Sequence, residues 1–163
     1  MLIQQNVDGS DFFNRSWAEF KVGFGDPRFN YWLGNELLSE LTANNSYQLK
    51  FDLQTLSTSS WYYAEYSTFI VLTEADNYRL QVAGYSGDAG DAFGSSWHNG
   101  MMFSTYDRDN DGSSTNCADS FGGFWYNNCG GSMVNAKMVG GLFYWNGPGD
   151  DLLQSSRMWL ECK

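Results

Sequence analysis

The chain has 163 residues, enough for one domain with a substantial core. Its 42% hydrophobic and 17% charged content excludes intrinsic disorder, and a net charge of −10 makes wrapping a nucleic-acid backbone unfavourable. With 18 glycines beside 7 Trp, 10 Tyr and 12 Phe, the composition predicts short strands and many tight turns rather than long helices. Residues 11–24 place Phe13, Trp17 and Phe20 at spacings of four and three, which predicts a short amphipathic helix stopped by Gly23 and Gly25. Residues 35–41 predict a second, with Asn35 as N-cap and Leu37, Leu38 and Leu41 on one side. The period then switches. Tyr47, Leu49, Phe51 and Leu53 alternate with Gln48, Lys50, Asp52 and Gln54, a half-buried strand. Two more strands are read at 61–74 and 78–85, joined by a turn at Ala75-Asp76-Asn77. From Ser86 onward periodicity largely vanishes, and only 103–106, 142–145 and 157–160 look strand-like. A stretch that long with so little regular structure marks function in a compact domain, so 1–85 reads as scaffold and 86–163 as site.

No apolar run approaches the ~18 residues needed to span a bilayer, so no membrane span is expected. Met1-Leu2-Ile3 is followed at once by Gln4-Gln5-Asn6, so no signal peptide is read, which leaves the compartment open. Cys117 and Cys129 enclose a Gly- and Asn-rich segment and read either as a disulfide or as two free buried thiols. Cys162 is left odd. With His98 as the single histidine and no C-x-x-C, zinc is poorly supported, and His98 itself reads as a structural hydrogen-bonder in a turn.

The sharpest local signal is Asp107-Arg108-Asp109-Asn110-Asp111-Gly112. Carboxylates at alternate positions that converge in a tight turn repel one another, and a hard divalent cation with oxygen ligands resolves the repulsion. The run matches the start of an EF-hand loop, but Ala118 stands at the twelfth position where a bidentate Glu is required. Two readings stay open: a calcium loop of another kind, or a solvated acidic turn. Asp88 and Asp91 form a second acidic turn that reads as a polar loop. Asn14-Arg15-Ser16 and Asn44-Asn45-Ser46 fit the N-glycosylation triplet, a pattern that chance also produces often. No nucleophile elbow, phosphate loop or His-containing triad appears, and two carboxylates within one metal loop make a poor acid–base pair, so no enzyme is expected.

The run from His98 through Asp111, followed by Asn116-Cys117-Ala118, resembles the fibrinogen-related domain of fibrinogen C-terminal globules, ficolins, tachylectins and angiopoietins. Asp8-Gly9-Ser10, Gly23-Phe24-Gly25, Trp32-Leu33-Gly34-Asn35 and the run from Trp125 to Cys129 extend the likeness nearly end to end. It implies an α+β fold: a short twisted antiparallel sheet, a few short helices and a long loop-rich region for calcium and ligand. It implies one domain over 1–163, beginning after the small N-terminal subdomain of relatives. It implies a Ca2+ site on the carboxylates of Asp109 and Asp111 and the backbone carbonyls of Ser113 and Thr115, with Asp107 behind them. Cys117 and Cys129 match the family disulfide, and relatives imply a cis peptide between Asn128 and Cys129. Lectin members hold acetyl groups in an aromatic-walled slot beside the calcium loop. The matching positions are Ser120 or Phe121, Asn128, Cys129, Gly130, and Phe143 or Tyr144. Gly130 replaces the family's pocket histidine, and both the loop between the cysteines and the segment 135–145 are shorter than in relatives. Trp125 and Tyr126 read as core. The expectation is a secreted, calcium-dependent lectin for acetylated or related microbial cell-wall glycans in innate immunity, gaining avidity by oligomerising through a region outside this chain. The alternative is a protein-binding module, binding receptor or matrix ligands, in which calcium is structural.

Overall fold

The computed structural model describes residues 1–141, 143–147 and 152–163. In chain order they form β1 (Leu2–Asn6), a 3-10 turn (Asp11–Phe13), α1 (Trp17–Val22), β2 (Phe24–Gly25), β3 (Tyr31–Trp32), α2 (Asn35–Thr42), β4 (Tyr47–Thr55) and β5 (Trp61–Val71). A second 3-10 turn (Glu74–Asp76), β6 (Leu80–Gly87), β7 (Phe103–Ser104), α3 (Cys117–Phe121), β8 (Phe124–Trp125) and β9 (Leu153–Cys162) complete them. The α+β class expected from the sequence is observed. Seven strands form one antiparallel sheet in the order β2-β3-β1-β9-β4-β5-β6, and β7 with β8 make a separate two-stranded ribbon.

β4 shows why the sheet has two unlike faces. Leu49, Phe51 and Leu53 are buried, and across the ladder Phe51 stands opposite Met158 on β9 and Ala64 on β5. The alternate residues Lys50 and Asp52 stand opposite Trp159 and Arg157 on the other face, where the Trp159 indole N–H donates to Asp52 at 2.8 Å. The inner face carries an aromatic core. Trp32, Phe103 and Trp125 meet with ring centroids 5.1–6.1 Å apart, Phe93 and Trp145 pack on Phe51, and most contacts are tilted or edge-on, as ring quadrupoles favour. Buried indoles find partners: Trp32 donates to Asn35, Trp125 to the Tyr78 carbonyl, Trp145 to the Ala89 carbonyl. Much of this core comes from beyond residue 86 (Phe93, Phe103, Phe124, Trp125, Tyr126, Trp145), so the second half is scaffold as well, not only the first.

Several local expectations change. The single helix over 11–24 is two pieces, because Ser16 is extended (ψ 163°) and starts α1 afresh through a capping box with Glu19. The N-cap of α2 is Gly34, not Asn35; Asn35 is buried in the first turn beneath the Trp32 indole, and Leu37 faces solvent while Leu38 is buried. β5 ends at Val71, and Asn77 and Tyr78 take left-handed backbone (φ 52° and 50°), which delays β6 to Leu80. The strand read at 157–160 is the ten-residue β9, lying between β1 and β4 in the sheet. Of 142–145, Leu142 lies outside the described residues, while Tyr144 and Trp145 make isolated bridges to Leu152 and Ser132.

Candidate functional site

The acidic run folds as one compact turn held from several sides. Thr105 and Arg108 exchange backbone hydrogen bonds (2.9 and 3.1 Å), a tight turn that brings Asp107 back toward α1. Asp107 Oδ1 accepts the Thr105 hydroxyl and the N–H of Trp17, the first residue of α1. The Arg108 guanidinium lies 4.0 Å from the Trp17 ring, a cation–π contact on the same helix end. Asn110 donates its side-chain amide to the Phe103 carbonyl and its backbone N–H to the Ser104 hydroxyl, which pins the turn to β7.

Asp109 and Asp111 are the carboxylates left at the tip. Asp109 Oδ1 accepts the Asp111 N–H at 3.2 Å, while Asp111 Oδ1 and Oδ2 accept the N–H groups of Ser113 and Cys117, each at 2.8 Å. Both Asp111 oxygens are therefore aimed by backbone, with a further lone pair on each. Burial holds the Asp111 carboxyl above the usual carboxylate value and the Asp109 charge adds to this, against the lowering by its two N–H donors. Among the described residues no three His, Cys, Asp or Glu side chains converge. A cation here would thus need carbonyl oxygens too. Those of Ser113 and Thr115 accept none of the hydrogen bonds found among the described residues, so the donor set fits a hard, oxygen-seeking ion.

Asn116 then caps α3, accepting the Ala118 N–H and donating to the carbonyls of Thr105 and Tyr106. Cys117, at the start of α3, is disulfide-bonded to Cys129, settling the choice left open from spacing; Cys162 is free and exposed. The Asn128–Cys129 peptide is trans, contrary to the cis bond expected. Cys129 itself is left-handed (φ 57°), a conformation that costs a non-glycine residue about 1–2 kcal/mol. The turn is closed by Asn127, whose N–H points to the Cys129 carbonyl and whose carbonyl accepts the Gly112 N–H. Asn127 and Asn116 are the organising residues missed in the sequence; an Asn just before Cys117 was a readable N-cap signal.

The remaining positions named from the sequence separate. Ser120 is exposed on α3, and Phe121 is half-buried with its ring 6.3 Å from Tyr126. Asn128 is exposed. The Tyr144 hydroxyl donates to the Gly130 carbonyl at 3.0 Å, so Tyr144, Gly130 and Cys129 do come together. Phe143 is fully buried and offers a ligand no wall. At Gly130 an added Cβ would stand 2.3 Å from the His98 ring, so the missing pocket histidine has no room on this backbone. His98 is the structural residue expected. Its Nδ1–H donates to the Trp125 carbonyl at 2.7 Å, which leaves Nε2 to accept from the Gly131 and Ser132 N–H groups, and burial lowers its pKa to about 4. Asp88 and Asp91 are likewise structural, accepting the Tyr63 N–H and the Tyr66 hydroxyl.

The family described as fibrinogen beta and gamma chains, C-terminal globular domain, matches residues 1–155, and the chain belongs to that family. It is 40% identical to human ficolin-3 over 119 residues, 72% of this chain and 39% of that protein. The fibrinogen-like globe domain of human ANGPTL6 is 37% identical with a TM-score of 0.88, over 99% of this chain and 77% of that one. The lamprey fibrin D-dimer, solved with the peptide ligand Gly-His-Arg-Pro-amide, is 33% identical with a TM-score of 0.84, over 98% of this chain and 60% of that one. The chain spans 5% of the length of mouse tenascin and 40% of that of the Apostichopus parvimensis fibrinogen-like protein A, so it covers only part of these curated relatives.

Proposed function

We propose that the chain is an extracellular recognition module whose loop from Asp107 to Cys129 is ordered by calcium and presents a surface for protein or peptide ligands. One observation supports the choice of ligand: of the positions matched to the acetyl slot, Phe143 is buried and Gly130 has no room for a side chain beside His98. A broad surface needs no such slot. The lamprey fibrin likeness supports a peptide-binding use of this fold. Calcium would be held by the Asp109 and Asp111 carboxylates and the Ser113 and Thr115 carbonyls, joining the turn at β7 to the start of α3 without entering any chemistry. The disulfide supports an oxidising, extracellular compartment, and among the described residues no helix is long and apolar enough to cross a membrane.

The likeness to ficolin-3 favours a second reading, the calcium-dependent lectin for acetylated microbial glycans, with avidity supplied by oligomerisation outside this chain. Exposed Ser120 and Asn128, with Tyr144 beside Gly130, are the positions that reading would use. Calorimetric titration of the calcium-loaded domain with N-acetylglucosamine and acetylated peptidoglycan fragments separates the two. The protein-binding reading predicts no saturable heat. Saturable heat that disappears on chelation would replace it with the lectin.

A further inference from the structure

Beside the calcium loop, and apart from the ligands assigned to it, a solvent-open cleft of about 440 Å³ is lined by Asn14, Tyr106 and Asp119. The three come from different parts of the chain: the connection before α1, the turn before Asp107, and α3. All are exposed, with Tyr106 48% accessible. The Asn14 amide, the Tyr106 hydroxyl and the Asp119 carboxylate make none of the hydrogen bonds found among the described residues, which leaves the three polar ends open to a ligand. Asn14 is also the first residue of Asn14-Arg15-Ser16. The structure thus places an acceptor triplet, an exposed aromatic face and an unpaired carboxylate around one cavity.

We propose that Asn14 carries an N-linked oligosaccharide whose first sugar lies in this cleft. Tyr106 packs against the apolar face of the sugar ring, and Asp119 accepts its hydroxyls. In the attachment step Asn14 Nδ2 loses a proton and bonds to C1 of an oligosaccharide delivered from a polyprenyl diphosphate donor. The C1–oxygen bond breaks, and the diphosphate leaves with the electron pair. Ser16 fixes the order of events. In the folded domain its hydroxyl is taken up by Glu19, accepting the Glu19 N–H and donating to the Glu19 carboxylate, so it is withdrawn from a transferase. Attachment therefore precedes closure of α1, and folding then lays the sugar into the cleft. Asn44, in the other triplet, turns its side-chain carbonyl onto the Ser46 N–H, lies in an exposed loop and is not among the residues lining this cleft.

The proposal rests on the extracellular reading and is tested on the whole chain secreted from eukaryotic cells behind a cleavable leader. Peptide masses before and after peptide-N-glycosidase should show Asn14 glycosylated and then converted to aspartate, with the modification absent in Asn14→Gln. Tyr106→Ala should speed enzymatic removal of the glycan from the native protein about fivefold, the ratio given by ~1 kcal/mol of ring contact. An unchanged removal rate would overturn the placement in the cleft. A bare Asn14 in secreted chain with Cys117–Cys129 formed would overturn the attachment while leaving the extracellular reading intact. A bare Asn14 with both cysteines reduced would overturn the two together.

Discussion

The Asp107 carboxylate accepts the backbone N–H of Trp17 at 2.9 Å, across 90 residues of sequence. This bond joins the start of the acidic turn to the first turn of α1, and Arg108 stacked on the Trp17 ring doubles the link. Asp107 thereby serves the helix end, where an anion is favoured by the unsatisfied N–H groups, and Asp109 and Asp111 are the carboxylates of the turn not tied to α1.

Asp107→Ala should therefore lower stability by about 1–2 kcal/mol, the usual loss for a capping carboxylate. Calcium affinity should fall far less than in Asp109→Ala. Thermal unfolding without calcium, paired with calcium titration of both variants, checks this. Equal loss of affinity in the two would place Asp107 among the ligands instead.

His98 gives the domain a defined acid sensitivity. Its folded pKa, lowered to about 4 by burial, lies below the ordinary 6.5, so the unfolded chain takes up the proton first. Stability from this group is complete above about pH 6.5 and is lost as pH falls toward 4, by ~3 kcal/mol in all. Urea unfolding across that range should show the slope in the wild type. His98→Asn should lose the slope and, with the Trp125 carbonyl and the Ser132 N–H left short of partners, be less stable at neutral pH by ~2–4 kcal/mol.

Gly130→Ala should destabilise the domain by ~1–3 kcal/mol, because the new Cβ meets a His98 ring that its hydrogen bonds hold in place. Combining it with His98→Ala should recover part of that cost. A fully additive double variant in chemical denaturation would show that the two do not share this contact.

Reduction of Cys117–Cys129 should cost about 3 kcal/mol, as expected for a loop of this length. The loss should fall on α3 and the turn at Asn127, measured as a lower unfolding midpoint with a free-thiol count rising from one to three.

Strands with clean alternation were legible: β4 reads directly as Leu49, Phe51 and Leu53 inside with Lys50 and Asp52 outside. β9 was less so, since Ser155 and Ser156 interrupt its apolar rhythm, yet both are buried and Ser156 bonds the Gln4 amide of β1. Pairing partners distant in the chain supply what local pattern lacks. The acidic turn stood out in the sequence because its acids repeat every second residue. Its division of labour did not, because only the fold shows that Asp107 is committed to Trp17. Of the two aromatics matched to the acetyl slot, Phe143 sits in a Gly-rich segment that reads as exposed, and only tertiary packing buries it, leaving Tyr144 beside Gly130.

Hydrogen–deuterium exchange of the domain with and without calcium tests the central claim most directly. The account predicts added protection concentrated between Asp107 and Cys129, with β4, β5 and β9 unchanged, and its disappearance in Asp109→Ala and Asp111→Ala. No calcium-dependent protection in that segment, or the same protection in both variants, would contradict it.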